Sequence, residues 1–309
     1  MSNEHRLGPP NIHHDWDGSR TPAVRIRPDD VVHFDLPITG EGQVSETSTV
    51  DEVVWDFDTI YNLAGPVFVE GAEAGDTLDV EVTALTPGPW GWTTFMPELG
   101  LLADDFPEPF LKVFDLRGGA GATVAPGVEV PLDPFLGTMG VVTDEPGAHS
   151  PFPPHRGGGN VDCRHLVVGS TLLLPVWCEG ALFSCGDAHG AQGDGEVCVS
   201  AIECAMEATL RFRLHKRSIA GPAFRVPRAI GDPGPHYGTM GIDSDLMQGA
   251  KTAVRNMIEW LVAEHGLTRE DAYVLCSLAG DLRIHEIVDA GVWNVGMTMP
   301  LSVLGSPAR

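Results

Sequence analysis

Short apolar runs separated by turn residues occupy most of the first two thirds of the chain. Runs of this length, with alternating or continuous apolar character and bounded by Gly, Pro and Asp, are typical of β-strands. We therefore predict that this part of the chain is mostly β. The predicted strand segments are Val24–Ile26, Asp30–Asp35, Val67–Val69, Thr77–Val82, Gly140–Val142, Leu172–Trp177, Glu196–Ile202 and Thr209–Leu214.

The spacing of apolar residues changes near the C-terminus. Between residues 244 and 266, apolar side chains recur at steps of three and four, which predicts an amphipathic helix. Asp243 or Ser244 is the expected N-cap, and Gly266 occupies the position of a C-terminal glycine.

A second helix is predicted between Thr268 and Gly280, packed against the first. Asp271 follows Thr268 by three residues, a variant of the capping box. The segments LRIHEIV and Val292–Leu304 then resemble strands. Because the helices are segregated late in the chain, the predicted class is α+β. Its body is predominantly β, a sandwich-like or barrel-like arrangement of antiparallel strands, with a helical pair and closing strands in the C-terminal third.

Composition and length indicate a compact globular protein. The chain has 309 residues, of which 43% are hydrophobic, and contains 37 glycines and 25 prolines. We expect a single unit over residues 1–309. The Pro- and Gly-rich stretch at 147–159 is a candidate internal division between a β N-terminal part and an α+β C-terminal part.

The charge excludes two kinds of partner. A formal net charge of -24 would repel nucleic acid and anionic membrane surfaces, so neither is expected to bind. The first residues contain no basic segment followed by an apolar one, and no apolar stretch approaches membrane-spanning length. A cytoplasmic location is therefore expected. The six cysteines form no C-x-x-C pair and lie mostly in apolar runs, which favours buried free thiols.

The candidate chemistry lies in the stretch GALFSCGDAHGAQGDGE (residues 180–196) and the segment before it. Asp187 and His189 are two residues apart, so in an extended strand both side chains leave the same face. Asp162 lies in the preceding segment. Carboxylates and imidazole are suitable ligands for zinc or another divalent ion, and the neighbouring glycines allow close approach of a ligand. The sequence therefore predicts that Asp162, Asp187 and His189 bind a metal.

Other polar residues in this region have simpler interpretations. Asp194 lies between two glycines, a common turn sequence in which the carboxylate bonds to nearby backbone N–H groups. His165 follows Asp162 by three residues, which would place the two side chains on opposite faces of a strand. We therefore expect His165 to be a surface or hydrogen-bonded histidine.

The segments GGGNVD, GSTLLLPV, GALFSCGDAHGAQGDGE and AIE together resemble the acetamidase/formamidase family, whose members hydrolyse short aliphatic amides to a carboxylate and ammonia. The resemblance extends over nearly the whole chain. GPVFVEGAEAGDTLDVEV is similar to the family's early hairpin, and DPFLGTMGV to its central turn. One departure is Gly157, where family members commonly have a basic residue or histidine just before the GGN turn. Here His155 and Arg156 lie upstream of that position.

The resemblance implies a metal-dependent amidase with a β-rich body, acting on a formamide- or acetamide-type substrate. Hydrolysis of an amide requires an activated water, stabilisation of the oxyanion and a proton for the leaving nitrogen. A metal ion would supply the first two, and Glu196 or Glu203 is the candidate acid/base. His14 and Asp17 could complete the site from a distance, and His155 is a further candidate. Zinc is the expected metal, with calcium or manganese as alternatives, and the resemblance implies a homo-oligomer.

Two alternatives remain open at the level of sequence. A cysteine-dependent amidase would use Cys185, which lies inside the core motif, but no lysine is placed beside it by the sequence. A metal-stabilised β module that binds a small ligand without hydrolysing it is the other alternative. The residues that bind the substrate are not identified by the sequence.

Overall fold

The computed structural model describes residues 2–229 and 231–304, and its secondary structure is mostly β. Two α-helices lie in the C-terminal third, α1 at Leu246–His265 and α2 at Arg269–Ala279. Single turns of 3₁₀ helix lie at Val50–Glu52 and Leu301–Val303. The strands are β1 (Glu4–Leu7), β2 (Ile12–His13), β3 (Trp16–Asp17), β4 (Val24–Ile26), β5 (Val31–Leu36), β6 (Leu63–Val69), β7 (Thr77–Phe95), β8 (Phe110–Asp115), β9 (Gly121–Ala125), β10 (Val128–Pro131), β11 (Phe135–Val141), β12 (Ala148–His149), β13 (Gly158–Asn160), β14 (Thr171–Pro175), β15 (Phe183–His189), β16 (Glu203–His215), β17 (Ala223–Val226), β18 (His236–Asp243), β19 (Asp281–Glu286) and β20 (Trp293–Pro300).

In the described ranges, 16 of the strands form one sheet with the central order β13-β11-β15-β16-β7-β14-β17-β18-β20-β19. Its pairs are antiparallel except β1 with β5 and β4 with β6, which are parallel. The predicted β-rich α+β class is therefore confirmed. A large apolar cluster, including Phe34, Phe183 and Phe212, packs between the strands of the body. Its aromatic rings meet edge to face, a favoured packing geometry.

The two helices pack against each other, as predicted, and they also cover the C-terminal strands of this sheet. Met257 and Leu261 of α1, Cys276 of α2 and Met297 of β20 belong to one buried cluster, so the helices pack on each other and on the sheet. Neither helix is long and apolar enough to span a membrane.

The helix boundaries follow from local caps. The N-cap of α1 is Asp245, whose carboxylate accepts a bond from the backbone of Gln248, so the expected caps Asp243 and Ser244 are wrong. Asp243 instead accepts a bond from the Asp245 N–H at 2.9 Å. Gly266 ends α1 in the left-handed conformation with φ 66°, as predicted.

The second helix begins as predicted. Thr268 caps α2, and its hydroxyl accepts a bond from the backbone N–H of Asp271 at 3.1 Å. The Thr268 hydroxyl in turn donates to the Asp271 carboxylate at 2.8 Å, which completes the variant of the capping box.

Three of the expectations for the β body are wrong. The segment Glu196–Ile202 is a loop, because Glu196 (φ 46°) and Val199 (φ 81°) have left-handed backbone that a strand cannot contain. DPFLGTMGV is not a turn but forms β11, which is buried on both faces between β13 and β15. Strands β6 and β7 do not form a hairpin, because β6 pairs with β15 and β7 pairs with β16 and β14.

The cysteines are free thiols, as predicted. Four of the six are buried and two are half-buried, and none forms a disulfide.

Candidate active site

A cavity of about 630 Å³ opens beside the middle of the large sheet. Its walls are mainly apolar and aromatic. Trp55 comes from the loop between β5 and β6, Trp92 from β7 and Phe152 from the loop between β12 and β13. The Trp55 and Trp92 ring centroids lie 5.3 Å apart. An apolar cavity with a few convergent polar groups is the usual form of a small-molecule site.

The polar end of the cavity is built from β15 and β16. Asp187 and His189 come from β15, and Glu203 is the first residue of β16, directly opposite His189 in the ladder. Nε2 of His189 lies 3.5 Å from Oδ1 of Asp187 and 3.4 Å from Oε2 of Glu203. Because β15 is buried between three other strands, these polar side chains are held in a rigid, water-poor environment.

Two further carboxylates join this cluster from neighbouring segments. Asp162 follows β13, and its Oδ1 lies 3.7 Å from Nδ1 of His189. Glu196 comes from the loop between β15 and β16. One ligand atom from each of Asp162, His189 and Glu196 lies within 4.8 Å of the others, and the same holds for Asp187, His189 and Glu203. The structure therefore brings together all five residues that the sequence nominated as ligands or acid/base.

The backbone at this cluster is unusual. Asp162, Asp187 and Glu196 have φ values of 41°, 52° and 46°, in the left-handed region that residues other than glycine rarely adopt. Such conformations cost about 1–3 kcal/mol each and cluster at functional sites. Asp187 therefore departs from the regular alternation of a strand. Its side chain and that of His189 nevertheless meet at the same cluster, as the two-residue spacing predicted.

Gly137 of β11 provides the space in which the cluster fits. A methyl group at this position would lie 2.4 Å from Oδ1 of Asp162, 2.7 Å from Cε1 of His189 and 2.9 Å from Oδ2 of Asp187. These distances are too short for any real Cβ contact. Glycine at this position is therefore required by the close approach of the three side chains.

Hydrogen bonds fix the orientation of the individual groups. The Thr39 hydroxyl donates to Oδ1 of Asp187 at 2.9 Å, and the Ala201 N–H donates to Oε1 of Glu203 at 3.1 Å. Oε1 of Gln192 lies 2.9 Å from Nδ1 of His189. A hydrogen bond on Nδ1 sets the tautomer and leaves Nε2 directed at the two carboxylates.

The electrostatics of the cluster are dominated by burial and crowding of carboxylates. Burial, reinforced by neighbouring carboxylates, raises the pKa of Asp162 to about 6 and of Glu203 to about 7, against the lowering effect of His189. Burial lowers the pKa of His189, but the carboxylates of Glu203 and Asp187 outweigh it and raise the pKa well above its ordinary value. Burial also raises the pKa of Asp187, yet His189 and the hydrogen bonds outweigh it, so the net shift is downward.

Positive charge is scarce around these carboxylates. No lysine or arginine is among the described residues that line the cavity. Two more buried acids lie close by. Asp289 lines the cavity, and Glu286 precedes Asp289 by three residues. Burial has the largest effect on both acids, followed by the negative charge of Asp162. Together they raise the pKa of Glu286 to about 8 and the pKa of Asp289 well above its ordinary value. The site therefore requires protons or a cation for balance.

The remaining sequence candidates lie outside the cavity. His14 contacts the backbone oxygen of Tyr61 through Nδ1 at 2.6 Å, and Asp17 accepts a bond from the Ser19 N–H at 2.8 Å. His155 lines a separate cavity of about 420 Å³. Cys185 is fully buried in the apolar core, and burial raises the pKa of its thiol well above the ordinary value.

Several residues of the site were not found by sequence reasoning. Asp289 accepts a bond from Nδ2 of Asn160 at 2.9 Å, although the two are far apart in sequence. Asn160 lies in GGGNVD and Gln192 in GAQG, so the motifs themselves could have indicated both. Trp55 and Phe152 had no local signal, because aromatic residues in loops have no characteristic spacing.

His165 and Asp194 have surroundings that the sequence did not fully predict. The prediction for His165 was a surface or hydrogen-bonded histidine. It is 4% exposed, so the surface alternative is wrong, and its Nε2 has no hydrogen-bond partner. Asp194 lies in a turn, as expected, but its Oδ1 is buried without a hydrogen-bond partner. Both residues form a group with His285 in which the ligand atoms lie within 4.8 Å of one another.

Comparison with known proteins gives consistent results. A sequence profile of the Acetamidase/Formamidase family matches residues 2–148 and 145–305. An acetamidase of Mycolicibacterium smegmatis is 25% identical over 85% of this chain and 84% of its own length. The crystal structure of an acetamidase from Bacillus halodurans superposes with a TM-score of 0.89 at 29% identity, over 97% of this chain and 100% of that chain. An acetamidase from Yersinia enterocolitica has the same TM-score at 27% identity, over 99% of this chain and 94% of its own.

Proposed function

Because this chain belongs to the acetamidase/formamidase family and is an amidohydrolase that acts on short linear amides, we propose that its hydrolysis of formamide- or acetamide-type substrates depends on a divalent cation. Asp162, Asp187 and His189 are the proposed ligands, with Glu203 or Glu196 as the acid/base. Zinc is the first expectation, and calcium or manganese would also suit a site rich in carboxylates. The observation that carries the proposal is the convergence of these five buried side chains in one cluster, four of which line the cavity.

The donor atoms of the cluster fit a cation. Both oxygens of Asp162 and Nε2 of His189 are buried without a hydrogen-bond partner. Buried polar atoms in proteins are almost always satisfied, so three such atoms in one cluster call for an explanation. A divalent cation would satisfy them and balance the carboxylates at the same time. It would act as a Lewis acid on the amide carbonyl and lower the pKa of a water molecule.

The chain's own residues have separate tasks in this proposal. The apolar walls, including Trp55 and Trp92, exclude bulk water and direct the amide group toward the polar end. Glu203 has one oxygen held by the Ala201 N–H at 3.1 Å and the other free toward the cluster. It is therefore placed to take a proton from the attacking water and deliver it to the leaving nitrogen. The water oxygen bonds to the carbonyl carbon, the carbon–nitrogen bond breaks, and ammonia leaves. The acid formed then loses its proton to give the carboxylate.

The cavity leaves the choice of amide open. A volume of about 630 Å³ lies within the range of sites that hold drug-sized molecules, and a formamide or acetamide molecule would fill only a small part of it. One methylene in an apolar pocket changes specificity by only ~1–3 kcal/mol. We therefore expect overlapping substrates, and a panel should include longer linear amides.

The test is ammonia release from formamide, acetamide and longer amides by purified protein, with metal content measured in parallel. Prolonged chelation should abolish turnover, and addition of one metal should restore it. Full activity in protein shown to be free of metal would contradict the metal dependence. It would leave the amidase assignment intact.

The cysteine mechanism has less support from the structure. Cys185 is 0% exposed, and no cysteine is among the described residues that line the cavity. A buried, protonated thiol is a poor nucleophile. Family membership also argues against a non-catalytic binding module.

The homo-oligomer remains a proposal. Closed symmetric assemblies are common among soluble enzymes, and the family resemblance implied one. Light scattering coupled to size-exclusion chromatography would test it, and a monomer at assay concentration would contradict it.

A further inference from the structure

A second group of metal-ligand side chains lies outside the active-site cavity. It consists of His165 after β13, Asp194 in the loop between β15 and β16, and His285 of β19. One ligand atom from each residue lies within 4.8 Å of the other two. His165 and His285 are 4% and 0% exposed, so the group is largely shielded from solvent. The amidase reaction proposed above uses none of these three residues.

Each residue of the group has one buried nitrogen or oxygen atom that could bind a metal and has no hydrogen-bond partner. These atoms are Nε2 of His165, Oδ1 of Asp194 and Nδ1 of His285. Other atoms of two members already have neighbours. Nε2 of His285 contacts Sγ of Cys163 at 3.7 Å, and Oδ2 of Asp194 lies 3.5 Å from Nη1 of Arg283. The contacts with Cys163 and Arg283 therefore fix the orientation of the His285 and Asp194 side chains. Their unpartnered atoms stay available to bind an ion.

The chemistry of these three atoms fits one class of ligand. Two imidazole nitrogens and one carboxylate oxygen form a common protein ligand set for zinc and similar transition-metal dications. Burial lowers the pKa of His165 to about 4 and that of His285 to about 3, so both rings are neutral near pH 7 and can offer a lone pair. We propose that His165, Asp194 and His285 hold a second divalent cation of the zinc class, separate from the one at the active site.

The position of this group suggests what a bound ion would do. Asp194 lies two residues before Glu196, and His285 directly precedes Glu286. The Gly195 N–H donates to the His285 carbonyl at 2.9 Å, and the Ile287 N–H donates to the Gly195 carbonyl at 3.2 Å. An ion held by Asp194 and His285 would add a strong cross-link at the same junction. It would thereby hold the loop that positions Glu196 against β19.

The experiment is a count of bound zinc in variants that separate the two sites. Wild-type protein, loaded with Zn²⁺ and dialysed, should hold one equivalent more than Asp194→Asn or His285→Ala. Mutation of a residue that only supports a metal ligand typically lowers metal affinity by ~10–100-fold. Loss of a ligand itself should weaken zinc binding at this site by at least as much. His33→Gln is the control, because His33 is a half-buried histidine of β5 whose ring nitrogens contact Thr209 and Glu4 at 3.1 and 3.2 Å. It should retain the full count.

A second measurement tests whether the equivalent of metal lost in the variants was bound by histidine. Co²⁺-loaded protein should lose part of its visible absorption in His285→Ala but not in His33→Gln. Should His285→Ala fail to fold by circular dichroism, Asp194→Asn decides, because Asp194 is partly exposed and asparagine preserves its shape.

An unchanged zinc count in folded Asp194→Asn would overturn the proposal and leave Asp194 as an ion-pair partner of Arg283. The count does not depend on amidase activity, so failure of the proposed reaction would not affect this result.

Discussion

Replacing Gly137 with alanine should disable the active site through a single methyl group. The new Cβ would lie 2.4 Å from Oδ1 of Asp162, about 1 Å short of the 3.4 Å at which ordinary contact begins. It would also lie 2.7 Å from His189 and 2.9 Å from Asp187. The φ of Gly137 is not in the left-handed region, so alanine is compatible with the backbone and the effect is steric.

The size of the effect follows from the displacement. Either Asp162 and its neighbours move by about 1 Å, or β11 moves away from β15. A misplacement of ~1 Å at a catalytic site costs on the order of 100-fold in rate, which corresponds to about 2.7 kcal/mol. Overpacking in a buried region also destabilises the fold by about 1–3 kcal/mol. We therefore expect kcat/KM to fall about 100-fold, together with metal content and the free energy of unfolding.

Three measurements check this prediction: ammonia release, metal content and thermal unfolding. Gly193→Ala is the matched control, because nothing lies within 4 Å of the methyl group that it would add. It should change stability by no more than about 0.5 kcal/mol and leave turnover close to wild type. If Gly137→Ala keeps wild-type turnover and metal content, the crowded geometry around Asp162, Asp187 and His189 is not the geometry of the working site.

Four further substitutions test individual roles. Asp187→Asn and His189→Ala should each lower metal content and ammonia release together, and retention of both would mean that the chemistry lies elsewhere. Glu203→Gln should lower kcat by about 10²–10⁴-fold while metal stays bound, because the amide keeps the shape but cannot transfer a proton; unchanged kcat would exclude Glu203 as the acid/base. Cys185→Ala should keep most of the turnover and cost about 1 kcal/mol of stability, whereas loss of activity in folded protein would favour the thiol mechanism.

The sequence determined the parts of this protein that depend on neighbours along the chain. The ends of α1 and α2 were predicted to within a residue or two, because caps such as Thr268 and Gly266 act on N–H and C=O groups only a few positions away. The two-residue spacing of Asp187 and His189 also suggested that their side chains meet, and they do, although the left-handed backbone of Asp187 breaks the strand alternation on which that prediction was based.

The failures have an equally physical cause. Glu196–Ile202 has the composition of a strand, but it adopts left-handed backbone at Glu196 and Val199 because the loop is held by contacts elsewhere, including the bonds between Gly195 and β19. His165 was assigned by the alternation rule of strands, yet it lies in a turn where the rule does not apply.

Only the tertiary structure decided which distant residues share a site. Asp162, His189 and Glu203 meet because β13, β11, β15 and β16 are adjacent in the sheet, an order that results from pairing between segments far apart in sequence. His165, Asp194 and His285 meet at a second place although β19 lies at the other end of that order, because Gly195 forms backbone bonds with β19. The sequence determines which side chains are available as ligands, because ligand chemistry belongs to the residue type. Whether they surround one point in space depends on long-range strand pairing, and no local pattern specifies that pairing.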